Sequence, residues 1–309
     1  MDTILITGAN GFIGEKLVMK LLDEGKEVYA IIYPESNLFE EINNVNLHVK
    51  CIDLNEDMDY SDEFPINKID TMYHFAWIGV KPEFRNDLDL QKKNLKIAFN
   101  CMNLAAKTGI KRIILPGSTN EYLYNDRPLN KDACPSPDNA YGAVKVAIRY
   151  LWNIFAIQNN MEFIYAIITG IYSEDRRDNN VIYYTIDKLL KKEKPSLTNL
   201  EQLWDYVYID DVIEALYLIC ERGKTNSVYG IGHGDNWKLS NYIEIIHNKI
   251  DASLPLGIGD IPYKTDRLPS SCIDLTDLIR DTGFTPKVDF ESGISKVIEK
   301  IKKDCKNNG

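Results

Sequence analysis

The stretch TILITGANGFIG, residues 3–14, decides the fold of this chain. Its apolar start predicts a buried strand over 3–7, and its glycines follow at the spacing GxxGxxG where an amphipathic helix begins. A side chain at such a glycine would keep the backbone away from a pyrophosphate, an anion that the unpaired N–H groups of a helix N-terminus favour. The stretch therefore predicts a dinucleotide-binding turn made by Gly8, Asn10, Gly11, Phe12, Ile13 and Gly14.

Apolar runs and helical patterns alternate outward from this turn. We expect strands near 3–7, 27–32, 46–51, 70–75, 111–116 and 162–168, and helices at about 12–24, 88–108 and 140–160. Further on, the patterns predict helices near 180–192, 209–222, 239–250, 274–281 and 290–304, with short strands at 205–209 and 227–231. Such alternation is typical of βαβ units and a parallel sheet.

The predicted fold class is therefore α/β, a Rossmann doubly wound parallel sheet with a smaller C-terminal α/β substrate lobe. We expect a dinucleotide-binding domain over 1–170, whose sheet later segments such as 205–231 could complete. Residues 171–309 would then form mainly the substrate-binding lobe.

The charge, hydropathy and cysteine spacing of the chain limit the kinds of partner that it can bind. A net charge of −10 over 309 residues disfavours nucleic acid and anionic membranes as partners. No run of about 18 uncharged apolar residues occurs, and the N-terminus lacks a basic leader, so we expect a cytoplasmic protein without a membrane partner. Six cysteines lie far apart without a CxxC pair, which predicts reduced packing thiols and no metal site.

A candidate catalytic set lies in the middle of the chain. Tyr141 and Lys145 are four residues apart on a predicted helix, so one face presents both. A free tyrosine has a pKa of about 10, and a neighbouring ammonium group favours its phenolate. The pair alone occurs by chance in many helices. Ser118 after the fifth predicted strand, together with the glycine turn, makes the combination specific for a dinucleotide-dependent oxidoreductase.

These pieces resemble the extended short-chain dehydrogenase/reductase family, of the NAD-dependent epimerase/dehydratase type, over nearly the whole chain. The matching segments are TGANGFIG, the pair Asp53-Leu54, HFAW at 74–77, Asn94, GSTNEY at 117–122, YGAVK at 141–145, YVYIDDV at 206–212, VYGIGHG at 228–234 and GFTP at 283–286. The resemblance implies that the C-terminal lobe holds a nucleotide-linked sugar and that the protein forms a homodimer through helices 88–108 and 140–160.

The resemblance also implies roles for single residues. Tyr141 would exchange a proton with the substrate oxygen while a hydride moves to or from the nicotinamide, Lys145 would hold the nicotinamide ribose, and Ser118 would orient the reacting oxygen. Asn94 would support Lys145 through water or backbone. Further cofactor contacts are expected from Tyr33, Asp53, Leu54, Phe75, Ala76, Trp77, Asn94, Thr169 and Ile171, and substrate contacts from Thr119, Asn120, Glu121 and Arg267. His74 is expected to be structural.

Two departures from the family pattern bear on ligands. Ile32 stands where NAD-selective relatives carry Asp, and Ser36 and Asn37 could donate to a 2′-phosphate, so the sequence slightly favours NADP(H) over NAD(H). Tyr33 adds no positive charge. Trp204 stands where many relatives place an arginine for the substrate diphosphate, which leaves Arg267 as the candidate for that contact.

The segments HFAWIG, GSTNEY, EQLWDY and IPYKTDR resemble those of reductases of 4-keto-6-deoxy sugars carried on a nucleoside diphosphate. The leading hypothesis is therefore a nucleotide-sugar 4-ketoreductase. A 4-epimerase with retained NAD shares every motif and remains the alternative. A 4,6-dehydratase is less favoured because only Glu121 is acidic after Ser118, and a non-catalytic dinucleotide-sensing regulator is less favoured because Tyr141 and Lys145 are both present.

Overall fold

A computed structural model describes residues 2–124, 127–175, 180–263 and 268–307. Its first half contains β1 (Thr3–Thr7), α1 (Phe12–Asp23), β2 (Glu27–Ile32), β3 (Leu47–Cys51), β4 (Thr71–His74), α2 (Leu88–Thr108), β5 (Arg112–Ser118), α3 (Ala140–Gln158) and β6 (Glu162–Ile168). Single 3-10 turns lie at Ser61–Glu63, Pro82–Phe84 and Thr119–Glu121.

The second half is built from shorter strands and five helices in the described ranges. They are β7 (Gly170–Tyr172), α4 (Val181–Leu190), β8 (Ser196–Leu197), β9 (Leu203–Trp204), β10 (Tyr206–Tyr208), α5 (Ile209–Arg222), β11 (Ser227–Ile231), β12 (Trp237–Lys238), α6 (Leu239–Ile250), β13 (Gly257–Ile258), α7 (Thr276–Thr282) and α8 (Phe290–Asn307).

The main sheet has seven strands in the order β11-β6-β5-β4-β1-β2-β3, and every pairing in it is parallel. The order reverses direction at β1, whose neighbours are β2 and β4. Ligands of such sheets bind beyond the carboxyl ends of the strands at this reversal. The predicted α/β doubly wound class is confirmed, and β11 adds a strand from beyond residue 170 to the sheet.

Helices cover both faces of the sheet. Along β1, Ile4 and Ile6 pack in a cluster with α1 and α5, whereas Leu5 packs in a second cluster with α2 and α3. This alternation explains why all five residues of β1 are buried, as expected for a parallel strand covered on both sides. None of the helices in the described ranges is long and apolar enough to cross a membrane.

The predicted elements that the structure contains differ from the observed ones mainly at their ends, and the short strands β7, β8, β9, β12 and β13 were not predicted. Strand β5 extends two residues past the predicted end at 116, because it pairs with β6 as far as Ser118 opposite Ile168. Ser118 is therefore the last residue of the strand and does not follow it. The predicted strand at 205–209 is shortened to β10, because Ile209 begins α5.

Candidate active site

The glycine turn is fitted closely to its surroundings. Gly8 adopts a φ of +67°, and a Cβ there would lie 2.6 Å from the backbone nitrogen of Ala76. A Cβ on Gly14 would lie 2.4 Å from the carbonyl oxygen of Gly8. Glycine is required at both positions by the close approach of β1, α1 and the segment after β4. The turn opens the N-terminus of α1 toward the cleft beyond the sheet, which suits a pyrophosphate.

A cleft of about 590 Å³ lies beyond the carboxyl ends of β1, β2 and β4. Nine predicted cofactor residues line it: Gly8, Asn10, Gly11, Tyr33, Asp53, Leu54, Phe75, Ala76 and Trp77. Of the other predicted cofactor residues in the described ranges, the lining set excludes Phe12, Ile13, Gly14, Asn94, Tyr141, Lys145, Thr169 and Ile171. The cleft fits the adenosine and diphosphate part of a dinucleotide, because it joins a glycine turn to an apolar pocket.

Sequence reasoning missed several residues of this cleft, namely Ile31, Ile52, Ile78, Gly79, Lys93 and Ile97. It named Ile32, which also lines the cleft, only for the choice between NAD and NADP. Lys93 and Ile97 are four residues apart, so they share the face of α2 that borders the cleft. The four-residue spacing of Lys93 and Ile97, next to the predicted cofactor residue Asn94, could have identified both residues from the sequence. Lys93 brings a positive charge to a site proposed for an anion.

Asn94 is buried and holds a neighbouring backbone segment. Its side chain accepts from the Ile78 N–H at 2.8 Å and donates to the Ile78 carbonyl oxygen at 3.0 Å. The Lys145 ammonium group donates to the carbonyl oxygen of Pro116 at 3.1 Å, and support of Lys145 by Asn94 through water or backbone stays a prediction. Asn94 therefore shapes the cofactor cleft through Ile78, which lines it.

Tyr141 and Lys145 lie in the first two turns of α3 and are almost fully buried, with exposures of 7% and 8%. The Asn139 side chain caps this helix by accepting from the Gly142 N–H at 2.8 Å. The Trp77 ring faces both, with its centroid 4.1 Å from the Lys145 nitrogen and 5.5 Å from the Tyr141 ring. The residue that lines the cofactor cleft thus touches the candidate catalytic pair.

Burial lowers the pKa of Lys145 to about 8, an effect that the Glu121 carboxylate opposes. Desolvation disfavours the charged form of a lysine, and a nearby negative charge favours it. Lys145 therefore titrates closer to neutral pH than a free lysine does. His74, which also lies near, is buried, with its Nδ1 2.8 Å from the Thr7 hydroxyl, and burial lowers its pKa to about 3. It is neutral and structural, as expected.

The turn after β5 carries the hydroxyl groups. The Ser118 hydroxyl accepts from the Asn120 side-chain amide at 3.1 Å and from the Asn120 N–H at 3.3 Å. The Thr119 hydroxyl has no hydrogen-bond partner within the part of the chain that the structure describes, and Thr119 is 7% exposed. Thr119 is therefore a second candidate for the hydroxyl that would orient a reacting oxygen.

Glu121 differs from its expected role. Its side chain is fully buried, and its two carboxylate oxygens accept from the Ser118 N–H and the Tyr165 hydroxyl, both at 2.6 Å. Burial raises the pKa of this carboxyl. In this position the Glu121 carboxylate does not offer a direct contact to a substrate. Glu121 instead fixes the backbone of the turn that carries Ser118 and Thr119.

The structure also places an arginine here that sequence reasoning missed. The Arg85 guanidinium donates to the Asn120 side-chain oxygen at 3.2 Å, and its central carbon lies 5.7 Å from the centroid of the Tyr141 ring. The only sequence signal was a single arginine in the loop between β4 and α2. Arg267, the predicted diphosphate contact, lies outside the described residues.

A second cleft of about 550 Å³ lies in the C-terminal half, with an apolar majority in its wall: Asn180, Val181, Tyr184, Ser196, Leu197, Thr198, Leu200, Gln202, Trp204, Tyr206, Leu239 and Ile261. Trp204 also lies beside the nicotinamide-end segment, because its indole nitrogen would be 3.2 Å from a Cβ on Gly170. Next to Trp204, the buried Asp205 accepts from the Thr169 hydroxyl at 3.0 Å. Asp205 thereby fixes the Thr169 side chain beside the strand that carries Trp204.

The model of the NAD dependent epimerase/dehydratase family matches residues 4–232, and the chain belongs to this family of enzymes. The resemblance to extended short-chain dehydrogenases/reductases is thereby confirmed. The chain is 25% identical to dTDP-4-dehydro-6-deoxyglucose reductase of Escherichia coli over 98% of each chain. It is 23% identical to CDP-abequose synthase of Salmonella muenchen over 96% of each.

Among solved structures, a UDP-glucose 4-epimerase of Thermotoga maritima with UDP-glucose superposes with a TM-score of 0.82 at 22% identity, covering 98% of this chain and 99% of that one. A UDP-glucuronic acid 4-epimerase from Bacillus cereus in complex with UDP-glucuronic acid and NAD gives a TM-score of 0.83 at 20% identity, covering 97% and 99%. These likenesses establish the shared Rossmann-type fold.

Proposed function

We propose that the protein reduces a 4-keto (6-deoxy) sugar linked to a nucleoside diphosphate. The observation that carries this proposal is the contact of Trp77 with both Tyr141 and Lys145, which joins the candidate proton-transfer groups to the cofactor cleft. The similarity to a dTDP-4-dehydro-6-deoxyglucose reductase over 98% of each chain supports the same reaction type.

A nicotinamide dinucleotide would supply the hydride when bound, with its diphosphate at the glycine turn. Tyr141 would donate its hydroxyl proton to the oxygen of the substrate carbonyl, and Lys145 would stabilise the resulting phenolate. Ser118 or Thr119 would donate a hydrogen bond to the same oxygen. Glu121 and Asn120 would keep this turn in place, because they bond its backbone N–H and its Ser118 hydroxyl.

For the cofactor we propose NAD(H), against the slight preference for NADP(H) drawn from the sequence. Tyr33, at the end of β2, lies in an acidic environment in which Asp53 and then Glu35 raise the pKa of its hydroxyl. Negative charges at this position disfavour a 2′-phosphate. The UDP-glucuronic acid 4-epimerase from Bacillus cereus, which shares the fold, is a complex with NAD. Dissociation constants for NADH and NADPH, measured by fluorescence titration, test the proposal, and tighter binding of NADPH contradicts it.

We propose that the nucleoside of the substrate occupies the cleft around Trp204, Leu197 and Leu239. Apolar walls with a few polar groups suit a base and its ribose. Trp204 supplies an indole N–H in place of the guanidinium that many relatives carry at this position.

The dehydratase alternative loses support from the placement of Glu121. A 4,6-dehydratase needs an acidic group that reaches the substrate, whereas the Glu121 carboxylate is buried and bound on both oxygens. The epimerase alternative has the structural relatives named above in its favour. Ile32 at the end of β2 argues for an exchangeable cofactor, because it offers no carboxylate to hold the ribose hydroxyls.

Two incubations separate reductase from epimerase. With a nucleoside diphosphate 4-keto-6-deoxy sugar and NADH, we expect stoichiometric cofactor oxidation and one 4-hydroxy product. With a 4-hydroxy nucleotide sugar and no added cofactor, we expect no change. A mixture of C4 epimers in the second incubation would identify an epimerase and refute the reductase.

We also propose a homodimer formed by α2 and α3. The apolar residues of α3 divide in the structure: Ile148 is buried in the core and Leu151 and Phe155 pack against it, whereas Ala143 and Ile154 are exposed. Exposed large residues form a stripe along these helices, with exposures of 49–62%: Phe99, Tyr150, Ile154 and Ile157. Such a patch is typical of an interaction surface.

A further inference from the structure

The segment 78–86, here called the strap, connects the cofactor cleft to the catalytic helix. At its start, Asn94 holds Ile78, and Gln91 donates to the carbonyl oxygens of Gly79 and Phe84 at 2.8 and 3.1 Å. At its end, the Arg85 carbonyl oxygen accepts from the Tyr141 N–H at 2.9 Å, and the Asn86 side chain accepts from the Ala140 N–H at 3.1 Å. The strap is therefore fixed at both ends.

Arg85 is held within this strap by two hydrogen bonds. Its Nε donates to the Val80 carbonyl oxygen at 3.1 Å, and its Nη1 donates to the Asn120 side-chain oxygen at 3.2 Å. Asn120 in turn donates to the Ser118 hydroxyl at 3.1 Å. The guanidinium thus connects the face of Tyr141 to the turn that carries the candidate hydroxyl groups.

Arg85 makes no ion pair with a carboxylate in the described ranges, although the chain as a whole carries −10. Its partners are a backbone carbonyl and an amide, both neutral. A guanidinium stays protonated across the range in which enzymes work. The ring of Tyr141 therefore has a permanent cation at 5.7 Å on the strap side.

The other charged groups around Tyr141 are less constant. Lys145 lies 5.5 Å from the Tyr141 ring, and burial lowers its pKa to about 8, so its charge declines above that pH. The turn after β5 contributes the buried Glu121, which faces Lys145 and Arg149. Strand β4 contributes His74, which is neutral. Arg85 differs from Lys145 in carrying a guanidinium, a group that stays protonated across the range in which enzymes work.

We infer that Arg85 is a positioning residue that stabilises the phenolate of Tyr141 and holds the Asn120–Ser118 pair at the reacting oxygen. A cation over an aromatic face, close to a phenol, favours the ionised phenol. Arg85 acts here through its contacts with Tyr141 and Asn120. This role rests on the proposed function only in taking Tyr141 as the proton donor.

The test is a direct titration of Tyr141. Protein labelled with carbon-13 at the tyrosine Cζ gives resonances that move on phenolate formation, and Tyr141 is identified by the signal lost in Tyr141→Phe. We expect Arg85→Gln to raise the pKa of Tyr141, so that the phenolate-to-phenol ratio at a fixed alkaline pH falls by about three- to tenfold. Arg85→Lys, which keeps a cation, should retain most of the wild-type ratio.

The matched control is Lys81→Gln, which removes an exposed cation from the same strap without a contact to Tyr141. It should leave the titration unchanged. An unchanged ratio in Arg85→Gln would overturn the inference, as would an equal fall in Lys81→Gln. If Arg85→Gln does not fold, Arg85→Lys decides: retention of the wild-type ratio supports the role of the charge, and a full loss contradicts it.

The titration needs no substrate, so it separates this inference from the proposed reaction. If the titration of Tyr141 depends on Arg85 but the protein turns over no 4-keto nucleotide sugar, the proposed reductase activity is refuted and the role of Arg85 stands. In an active enzyme, the high-pH fall of kcat in the reducing direction should move to higher pH in Arg85→Gln, because Tyr141 stays protonated longer.

Discussion

The ammonium nitrogen of Lys145 lies 4.1 Å from the centroid of the Trp77 indole ring. A cation placed over an indole face is stabilised electrostatically, yet it has given up the water that would otherwise solvate it. The remaining partner is the Pro116 carbonyl oxygen, at 3.1 Å. Lys145 is thus a buried charge kept in a largely apolar surrounding, and this arrangement has consequences for both stability and activity.

Lys145→Met should stabilise the protein at neutral pH. Because burial lowers the pKa of Lys145 from 10.5 to about 8, keeping it protonated costs up to about 3 kcal/mol. The unfolded lysine still holds its proton between pH 8 and 10.5, so wild-type stability rises over that window and the advantage of the variant shrinks to nothing. Urea unfolding of the variant and the wild type at neutral pH measures the stabilisation, and the same comparison near pH 10.5 measures its loss. Lys81→Met is the exposed control, and a destabilised Lys145→Met would contradict the prediction.

Tyr141→Phe should keep the fold and the affinity for dinucleotide while lowering turnover about a hundredfold or more, the usual scale for a positioned acid. The ring contacts with Trp77 and Arg85 survive this change, because both involve the aromatic ring. Steady-state kinetics and a cofactor titration give the two readouts. Most of the activity remaining in a correctly folded variant would remove Tyr141 from the proton transfer.

Ser118→Ala and Thr119→Val together decide which hydroxyl orients the reacting oxygen. The Ser118 hydroxyl is engaged by Asn120, whereas the Thr119 hydroxyl has no partner in the described part of the chain. We expect the variant that removes the functional hydroxyl to lose about ten- to a hundredfold in kcat with an unchanged cofactor affinity. Equal activity of both variants and wild type would show that neither hydroxyl contributes.

Glu121→Ala should be strongly destabilising. It leaves the Ser118 N–H and the Tyr165 hydroxyl buried without an acceptor, and each such group costs about 1–3 kcal/mol. Glu121→Gln keeps one acceptor oxygen and should lose less. Thermal unfolding of the two variants is the measurement. If Glu121→Ala matches the wild-type Tm but abolishes activity, Glu121 has the chemical role that its burial argues against.

Ile154→Glu should disrupt the proposed dimer without unfolding the monomer. Ile154 is 53% exposed on α3, so a carboxylate there is solvated in the monomer and desolvated in an interface. Light scattering after size exclusion measures the mass, and circular dichroism checks the fold. Ile258→Glu, equally exposed at 53% but distant in sequence on β13, is the matched control. A wild-type protein that already runs as a monomer would refute the dimer.

The sequence alone predicted the seven strands of the main sheet and the helices between them, the glycine turn and the placement of Tyr141 and Lys145 on one helix, but not the short strands β7, β8, β9, β12 and β13. Strand and helix periods, glycine spacing and the four-residue spacing of a helical pair are local properties of a chain. For this reason the predicted bounds of β1 and β2 coincide with the observed ones, and α1 begins at the predicted residue.

Only the tertiary structure decided what surrounds those residues. Arg85 meets Asn120 across 35 positions of sequence, and Glu121 meets Tyr165 across 44. The side chain of Glu121, expected to contact the substrate, is buried and supports the Ser118 turn. The side chain of Asn94 bonds the backbone of Ile78. Such pairings depend on how the strands order themselves and how the helices pack on the sheet. These are long-range contacts, and no local period of the sequence encodes them.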